Sequence, residues 1–473
     1  MDEQLTFEFA ERPTIKGFPE LRWTGKRPYR STQYYPAQLR ERYGDERDGW
    51  INKIFWGDNL QVMSHLLKEY RGKIDLVYID PPFDSKADYK RKIALKGIGN
   101  TTSDATSFEE KQYGDIWTND EYLQFMYERL MILRELMSDT ASIFVHCDWH
   151  KVHHLRCLMD EIFGSNMFLN EIVWQRTRAA HSDATYFGKV HDTILVYKKG
   201  GQAKFNPLYT EHSEAYLKRF TKEENGRKYM LVPLHGPGQG VARNFFGKII
   251  APPAGRCWPV QSKIDELIAQ NRVELTSNGT PSKKSYLDEN NGNPVSDWWD
   301  DIVPLNPVAS ERTDYPTQKP EQLLERIVEA ATNRGDLVFD CFMGSGTTQS
   351  VAMKLGRRFI GADINLGAIQ TTTKRLINVA SELDGQLQEE IKYTGFEVYN
   401  VNNYDFFRNP IEAKNLIIEA LEVQPFAQGN VWDGELDGRM VKIMPVNRIA
   451  TKADLEELKA NLPYKIYEKR KEE

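Results

Sequence analysis

Asp80 stands at the end of an apolar run, "IDLVYI", and is followed by Pro81, Pro82 and Phe83. Proline has no N–H and fixes φ, so the two prolines make a stiff turn that offers carbonyls and no backbone donors. Asp80 adds a carboxylate, which gives a group of acceptors without competing donors. Such a cup suits an exocyclic amine, which has two N–H donors and a lone pair delocalised into its ring. Accepting both hydrogens, at Asp80 and at a neighbouring carbonyl, favours a pyramidal nitrogen that can attack. Phe83 offers a face for a planar base, worth about 1–3 kcal/mol in base–aromatic contacts. The plain alternative is a rigid strand-end turn with an acid facing solvent.

A second constellation lies about 260 residues later, in "VFDCFMGSGTT". Asp340, Phe342, Gly344, Ser345, Gly346 and Thr347 fall between a strand and a helix. Glycines there let the backbone approach a ligand, and the helix start offers unpaired N–H groups. No Gly-Lys-Ser/Thr follows, which excludes an NTPase phosphate loop, and the third glycine of a dinucleotide fingerprint is missing. Asp363 in "GADIN", at the end of the next strand, is placed to accept from ribose hydroxyls. A nucleoside without a pyrophosphate fits the pair. S-adenosylmethionine is such a ligand, and Asp340 can hold its cationic amino group.

Positioning these groups calls for a wound α/β sheet. "IFWGDN", "IDLVYIDPPF", "ASIFVHCD", "GDLVFDCF" and "RFIGADIN" read as strands. "LQVMSHLLKEYR", "DEYLQFMYERLMILRELM" and "PEQLLERIVEAATN" read as helices, the last with Leu323, Leu324, Ile327, Val328 and Ala331 on one face. "NEIVWQRT" and "HDTILVYKK" suggest an antiparallel pair at one edge. Asp84 to Asn119 is polar and too long for a passive connection, so it reads as disordered or as a lid. The expected domains are an N-terminal arm (1–45), two halves of one α/β domain (46–205 and 311–384), an irregular insert (206–310) and a C-terminal segment without assigned chemistry (385–473).

Composition frames the function. The chain has 473 residues, 27% charged, with a formal net charge of −6. That balance argues against indiscriminate coating of nucleic acid, but charge is regional. From Ser165 to Val260 there are 14 Lys and Arg against 7 Asp and Glu, interleaved with aromatic residues. Phosphate binding is the sharper reading of this stretch, and a solvated basic surface the plainer one. No apolar run is long enough for a membrane span. "MDEQLTFEFAER" lacks the pattern of a signal peptide. Cys147, Cys157, Cys257 and Cys341 have no CxxC spacing, which suits a reducing cytoplasm. His150 and His154 share helical i,i+4 spacing in "HCDWHKVHHLRC", which also holds His146 and His153. The reading preferred is a helix surface beside the sheet rather than a metal site.

"DPPF" together with "FMGSGTT" resembles the DNA amino-methyltransferases. The order, with the catalytic string first, then a basic insert, "YPTQKPEQLLERI" and the glycine loop, is similar to the permuted β-class. "GDNLQVM", "NEIVWQR" and "HDTILVYKK" further resemble modification subunits of type III restriction systems. The resemblance implies a Rossmann-like, S-adenosylmethionine-dependent fold with a mixed seven-stranded sheet and an inserted target-recognition domain at 206–310. It implies methyl transfer to N6 of an adenine flipped from double-stranded DNA, without a metal or a covalent enzyme intermediate. Asp80 and the Pro81 carbonyl would hold the amine, Pro82 would stiffen the turn and Phe83 would stack on the base. Asp340, Phe342, Gly344, Ser345, Gly346 and Thr347 would line the methionine end of the cofactor, with Asp363 on the ribose and Asp58 near the adenine. Thr317, Gln318 and Lys319 would touch the cofactor carboxylate, and Pro320 would start the next helix. Cys341 departs from the family's usual proline. A homodimer and a separate restriction or helicase subunit are the partners the resemblance admits.

Asp before the prolines favours adenine N6 over cytosine N4, and Asn there would have pointed toward protein glutamine methylation. The rival readings are a cytosine-N4 enzyme, an inactive DNA-specificity subunit and a nicotinamide-dependent oxidoreductase. The last gives "DPPF" no role.

Overall fold

In the computed structural model, residues 6–9, 20–82, 88–94, 107–114, 119–177, 187–306, 309, 311–313, 315, 317–384, 392–401, 424–426, 432–436, 439–443 and 452–460 are described. Ten strands form the main sheet: β1 (Gln38–Tyr43), β2 (Asn52–Trp56), β3 (Ile74–Ile79), β4 (Met137–Cys147), β5 (Phe168–Gln175), β6 (His191–Lys198), β7 (Trp298–Trp299), β8 (Leu337–Asp340), β9 (Arg358–Asp363) and β10 (Phe396–Asn400). Their order is β7-β5-β6-β4-β3-β8-β9-β2-β10-β1. The run from β4 through β3, β8, β9 and β2 to β10 is parallel. β6 lies antiparallel to both neighbours, which makes β5 and β6 the expected antiparallel pair.

The helices are α1 (Asn59–Tyr70), α2 (Asn119–Leu136), α3 (Val152–Phe163), α4 (Glu321–Ala331), α5 (Thr347–Lys354) and α6 (Leu366–Asp384). α1, α2 and α3 pack as neighbours, and so do α4, α5 and α6. Central strands covered on both faces need continuous apolar runs. β3 has one, with five of its six residues buried, and β8 is buried throughout. α4 buries the five predicted positions Leu323, Leu324, Ile327, Val328 and Ala331, about 1.5–3 kcal/mol for each large side chain.

The expected mixed, Rossmann-like sheet is therefore present, with additions. Seven strands, from β5 to β2, form its centre, and the two-residue β7 flanks one edge. At the other edge, β10 and β1 come from segments read as a C-terminal region and an N-terminal arm. They join because Phe396 and Val398 are buried and β10 pairs with β1 and β2 at once. Within 84–119, residues 88–94 and 107–114 form an antiparallel ribbon, and the expectation of a lid or disorder falls otherwise outside the described residues. Asn206–Asp297 is a compact unit of its own. The chain returns to the sheet at Trp298, before the expected boundary at 310. No described helix is long and apolar enough to cross a membrane.

Candidate active site

β3 and β8 are parallel neighbours, with Val338 opposite Leu76 and Phe339 opposite Val77. Asp80 and Asp340 therefore leave the sheet at the same edge, beyond the carboxyl ends of the strands, where open α/β sheets bind ligands. A cavity of about 320 Å³ opens there. Asp80, Pro81 and Pro82 line one part, and Asp340, Phe342, Gly344, Ser345 and Thr347 another. Asp58, Thr317, Lys319 and Asp363 complete the predicted residues on its wall.

The Asp80 carboxylate is mostly enclosed and forms an ion pair through Oδ2 with the Lys319 ammonium. Its Oδ1 is buried and has no hydrogen-bond partner among the described residues. An unmet buried acceptor costs about 1–3 kcal/mol, so the site is built to receive a donor. Pro81 is buried and Pro82 half-buried, as a stiff turn requires. Phe83, the expected stacking wall, lies outside the described residues.

The glycine loop is braced from below. Asp340 is buried and accepts from the Phe342 N–H at 2.9 Å and the Thr348 hydroxyl at 2.6 Å. Burial, opposed by those two donors and reinforced by the charges of Asp80 and Asp363, pushes its pKa up to about 7. Asp363 accepts from Gly344 N–H at 2.9 Å and Asn365 N–H at 2.8 Å, and enclosure raises it to about 6. Arg375 of α6 donates to the Ser345 carbonyl and the Thr347 hydroxyl and pairs with Glu321 at 2.9 Å. Gly344 and Gly346 have φ of +50° and +71°. A Cβ on Gly346 would come 2.5 Å from the Thr372 side chain, and one on Gly344 3.2 Å from the Tyr315 ring. Gly346 thus lets α6 approach the loop, a packing role that the glycine pattern alone did not distinguish from ligand approach.

Asp58 caps α1 through the Leu60 and Gln61 N–H groups and accepts from Arg129 at 3.0 Å. Arg129 also donates to Asn59, whose amide reaches the Cys341 carbonyl at 3.0 Å. Two halves of the site, far apart in sequence, are thereby tied together. Gln318 departs from expectation. Its amide accepts from Thr313 and donates to the Glu311 carbonyl, so it staples its own loop and does not line the cavity. Pro320 is the N-cap of α4, one position before the expected helix start.

His146 lies on β4, the strand expected over "ASIFVHCD", and so stands apart from the helix-surface histidines with which it was grouped. It is fully buried, between the Tyr78 hydroxyl at 3.0 Å and Asp192 at 3.3 Å. Asp192 pairs in turn with Arg176 at 3.2 Å. Burial opposes the charge of Asp192, yet its bond to His146 and the cations Arg176 and Lys319 hold its pKa below the usual value. Tyr78 lines the cavity two residues before Asp80. The only signal for this network was one ionisable residue inside the apolar run "SIFVHC". His150 pairs with Asp148 at 2.5 Å, and the His153 and His154 rings lie tilted against each other with centroids 4.0 Å apart.

Comparison with known proteins accords with this geometry. A family model described as DNA methylase matches residues 74–374. The type II methyltransferase M.EcaI of Enterobacter cloacae is 30% identical over 386 residues, covering 79% of this chain and 82% of that protein. The StyLTI Mod subunit, a type III restriction-modification enzyme subunit of Salmonella typhimurium, is 29% identical over 328 residues. That match covers 64% of this chain and 50% of the subunit, so the chain spans about half of that relative's length. Among solved structures, M1.HpyAVI complexed with SAM has 17% identity and a TM-score of 0.36, covering 68% of this chain and 98% of that one. The chain belongs to the N6/N4 DNA methylase family.

Proposed function

We propose that this DNA methyltransferase methylates N6 of an adenine turned out of duplex DNA, with S-adenosylmethionine as donor. The observation that carries the reading is the buried Oδ1 of Asp80, without a partner among the described residues, beside a turn of two prolines. An exocyclic amine supplies the missing N–H, and the Pro81 carbonyl takes the second hydrogen. Lys319 holds the other carboxylate oxygen, which fixes the direction in which Asp80 accepts. Rotating the base out of the stack costs a few kcal/mol. Holding amine and methyl in line can lower the barrier by up to ~7–11 kcal/mol.

The cavity residues fit the donor. Asp340 is a buried carboxyl with a raised pKa and no cation bonded to it among the described residues, which suits an ammonium group. Phe342, Gly344, Ser345, Gly346 and Thr347 would hold the methionine end, Asp363 the ribose, Asp58 the adenine, and Thr317 with Lys319 the carboxylate. When bound, the donor supplies an electrophilic methyl group on a sulfonium. The chain's own residues orient the amine and exclude water. The insert would choose the DNA sequence. Relatives named as a type II methyltransferase and a type III Mod subunit support a restriction-modification role; a cytoplasmic location, a separate restriction or helicase subunit and a homodimer would accompany that role.

Tritiated methyl transfer to unmethylated DNA, followed by mass spectrometry of its nucleosides, tests the reading. N6-methyladenine is the expected product. N4-methylcytosine would replace the base assignment, and no transfer at all would leave a specificity subunit.

A further inference from the structure

We propose that the hairpin Arg243–Ile250 of the inserted unit is a duplex-DNA wedge, with Phe246 placed against the bases and Arg243 and Lys248 on phosphates. The proposal rests on the chain being a DNA methyltransferase and names the surface by which the insert grips its substrate.

The hairpin joins strands Arg243–Phe245 and Lys248–Ile250, with Phe245 opposite Lys248, so Phe246 and Gly247 are its two-residue tip. Both have positive φ, +53° and +84°, as the hairpin turn that follows the strand twist requires. Gly, Asn or Asp fills the first tip position at little cost, whereas a Phe there is strained. The strained ring is also exposed. Phe246 is 52% exposed and Ile249 on the outer face 72%. A large aromatic side chain held in an unfavourable backbone region, away from any core, points to a contact made outside the chain.

The base of the hairpin is rigid. Phe245 is fully buried in a small core with Trp258, Ile264, Leu267 and Val273, and Ile250 packs against it. The Gln261 side chain bonds both the N–H and the carbonyl of Asn244, at 3.0 and 2.9 Å. Trp258 donates to the Ile250 carbonyl at 3.0 Å. The tip is thus presented by a fixed support.

Charge selects the partner. From Asn225 to Ile264, 40 residues hold six Lys and Arg and no acid. Arg227 is matched by Asp288 and Glu289, and Lys263 by Glu266. Arg243 and Lys248 have no ion pair among the described residues, and Arg243 Nε is buried without an acceptor. Unmatched cations beside an exposed aromatic ring suit phosphates flanking stacked bases, and a hairpin with two such cations favours DNA over an apolar protein partner.

The test uses the full chain and a fluorescein-labelled duplex pool of random sequence. In Phe246→Asn, the new residue accepts the backbone of the tip, so the melting temperature and affinity for S-adenosylhomocysteine should match or exceed wild type. Duplex affinity should fall about 10-fold, as loss of one stacking contact implies. The R243Q/K248Q double variant should lower the slope of log affinity against log salt by about 2. Unchanged duplex affinity in Phe246→Asn, or an unchanged slope in the double variant, would overturn the proposal. A wild-type chain that makes no N6-methyladenine, yet loses duplex affinity in Phe246→Asn, would sink the adenine reading and leave the wedge standing.

Discussion

The Lys319 ammonium meets the Asp80 carboxylate across 239 positions of sequence, joining the segment before α4 to the turn after β3. Because this contact holds one oxygen of Asp80, the two residues should act as a unit. Asp80→Ala is expected to lower single-turnover methyl transfer by at least ~10²-fold, the scale for losing one aligned polar contact to reacting atoms. Affinity for S-adenosylhomocysteine should stay within a few-fold. Lys319→Met should also slow transfer, and the double variant should be little worse than Asp80→Ala alone. Additive losses in rapid-quench assays would show that the pair is not coupled.

On the proposed reading, Asp340 would link cofactor binding to pH. Its pKa is raised from 3.8 to about 7, so between those values the native state holds a proton that the unfolded chain has released. The ligand-free protein should therefore lose stability as pH rises from about 4 to 7 and level off above. Cofactor affinity should move the other way, since the ammonium needs the ionised carboxyl, and binding near pH 7 should release a proton. Calorimetry in two buffers of different ionisation enthalpy reads that release. Asp340→Asn should remove it, stabilise the free protein at pH 8 and weaken cofactor binding.

Arg129 holds Asp58 and Asn59 together and is itself buried. Arg129→Met should destabilise the fold by roughly 2–3 kcal/mol, below the 3–5 kcal/mol of a fully enclosed pair because Asp58 meets solvent. Urea denaturation measures it. Cofactor affinity should fall as well, because the Asn59 bond to the Cys341 carbonyl loses its anchor.

Gly346→Ala combines positive φ with a clash on Thr372. A loss of about 1–3 kcal/mol is expected from strain and overpacking. Adding Thr372→Ala should recover part of that loss, leaving the backbone term. A double-mutant cycle on melting curves that shows no coupling would place the strain elsewhere.

Tyr78→Phe removes the hydroxyl that meets His146 and leaves the ring in place. A stability loss of about 1 kcal/mol is expected for the lost bond to the buried imidazole, which keeps its contact with Asp192. The turnover number should fall more than the Michaelis constant changes, since the residue supports the strand that presents Asp80.

The strands nearest the site were legible because parallel central strands must be apolar on both faces, as in "IDLVYI" and "LVFD". The proline turn and the glycine loop were legible because few residue types can perform their backbone tasks. What stayed hidden was pairing across long sequence distance. Nothing in "TQKP" says that Lys319 turns toward Asp80 while Gln318 turns away into its own loop. The strand that carries His146 was legible, but its bonds were not, because its partners Tyr78 and Asp192 are 68 and 46 positions away. The outer strands β1 and β10 were missed because short, mixed-polarity segments reveal themselves only through their neighbours.

The inserted unit begins and ends on one ribbon, where Tyr209 faces Pro294 and Thr210 faces Asn293. Its entrance and exit are thus clasped by the unit's own backbone, whatever the loops beyond them contain. Such a neck suits the segment to act as a cassette: another sequence with the same clasp should be able to replace it while the strands that carry Asp80 and Asp340 are kept. On the proposed reading, in which the insert selects the DNA site, exchange of this single contiguous block would give one catalytic chassis a new address on the genome.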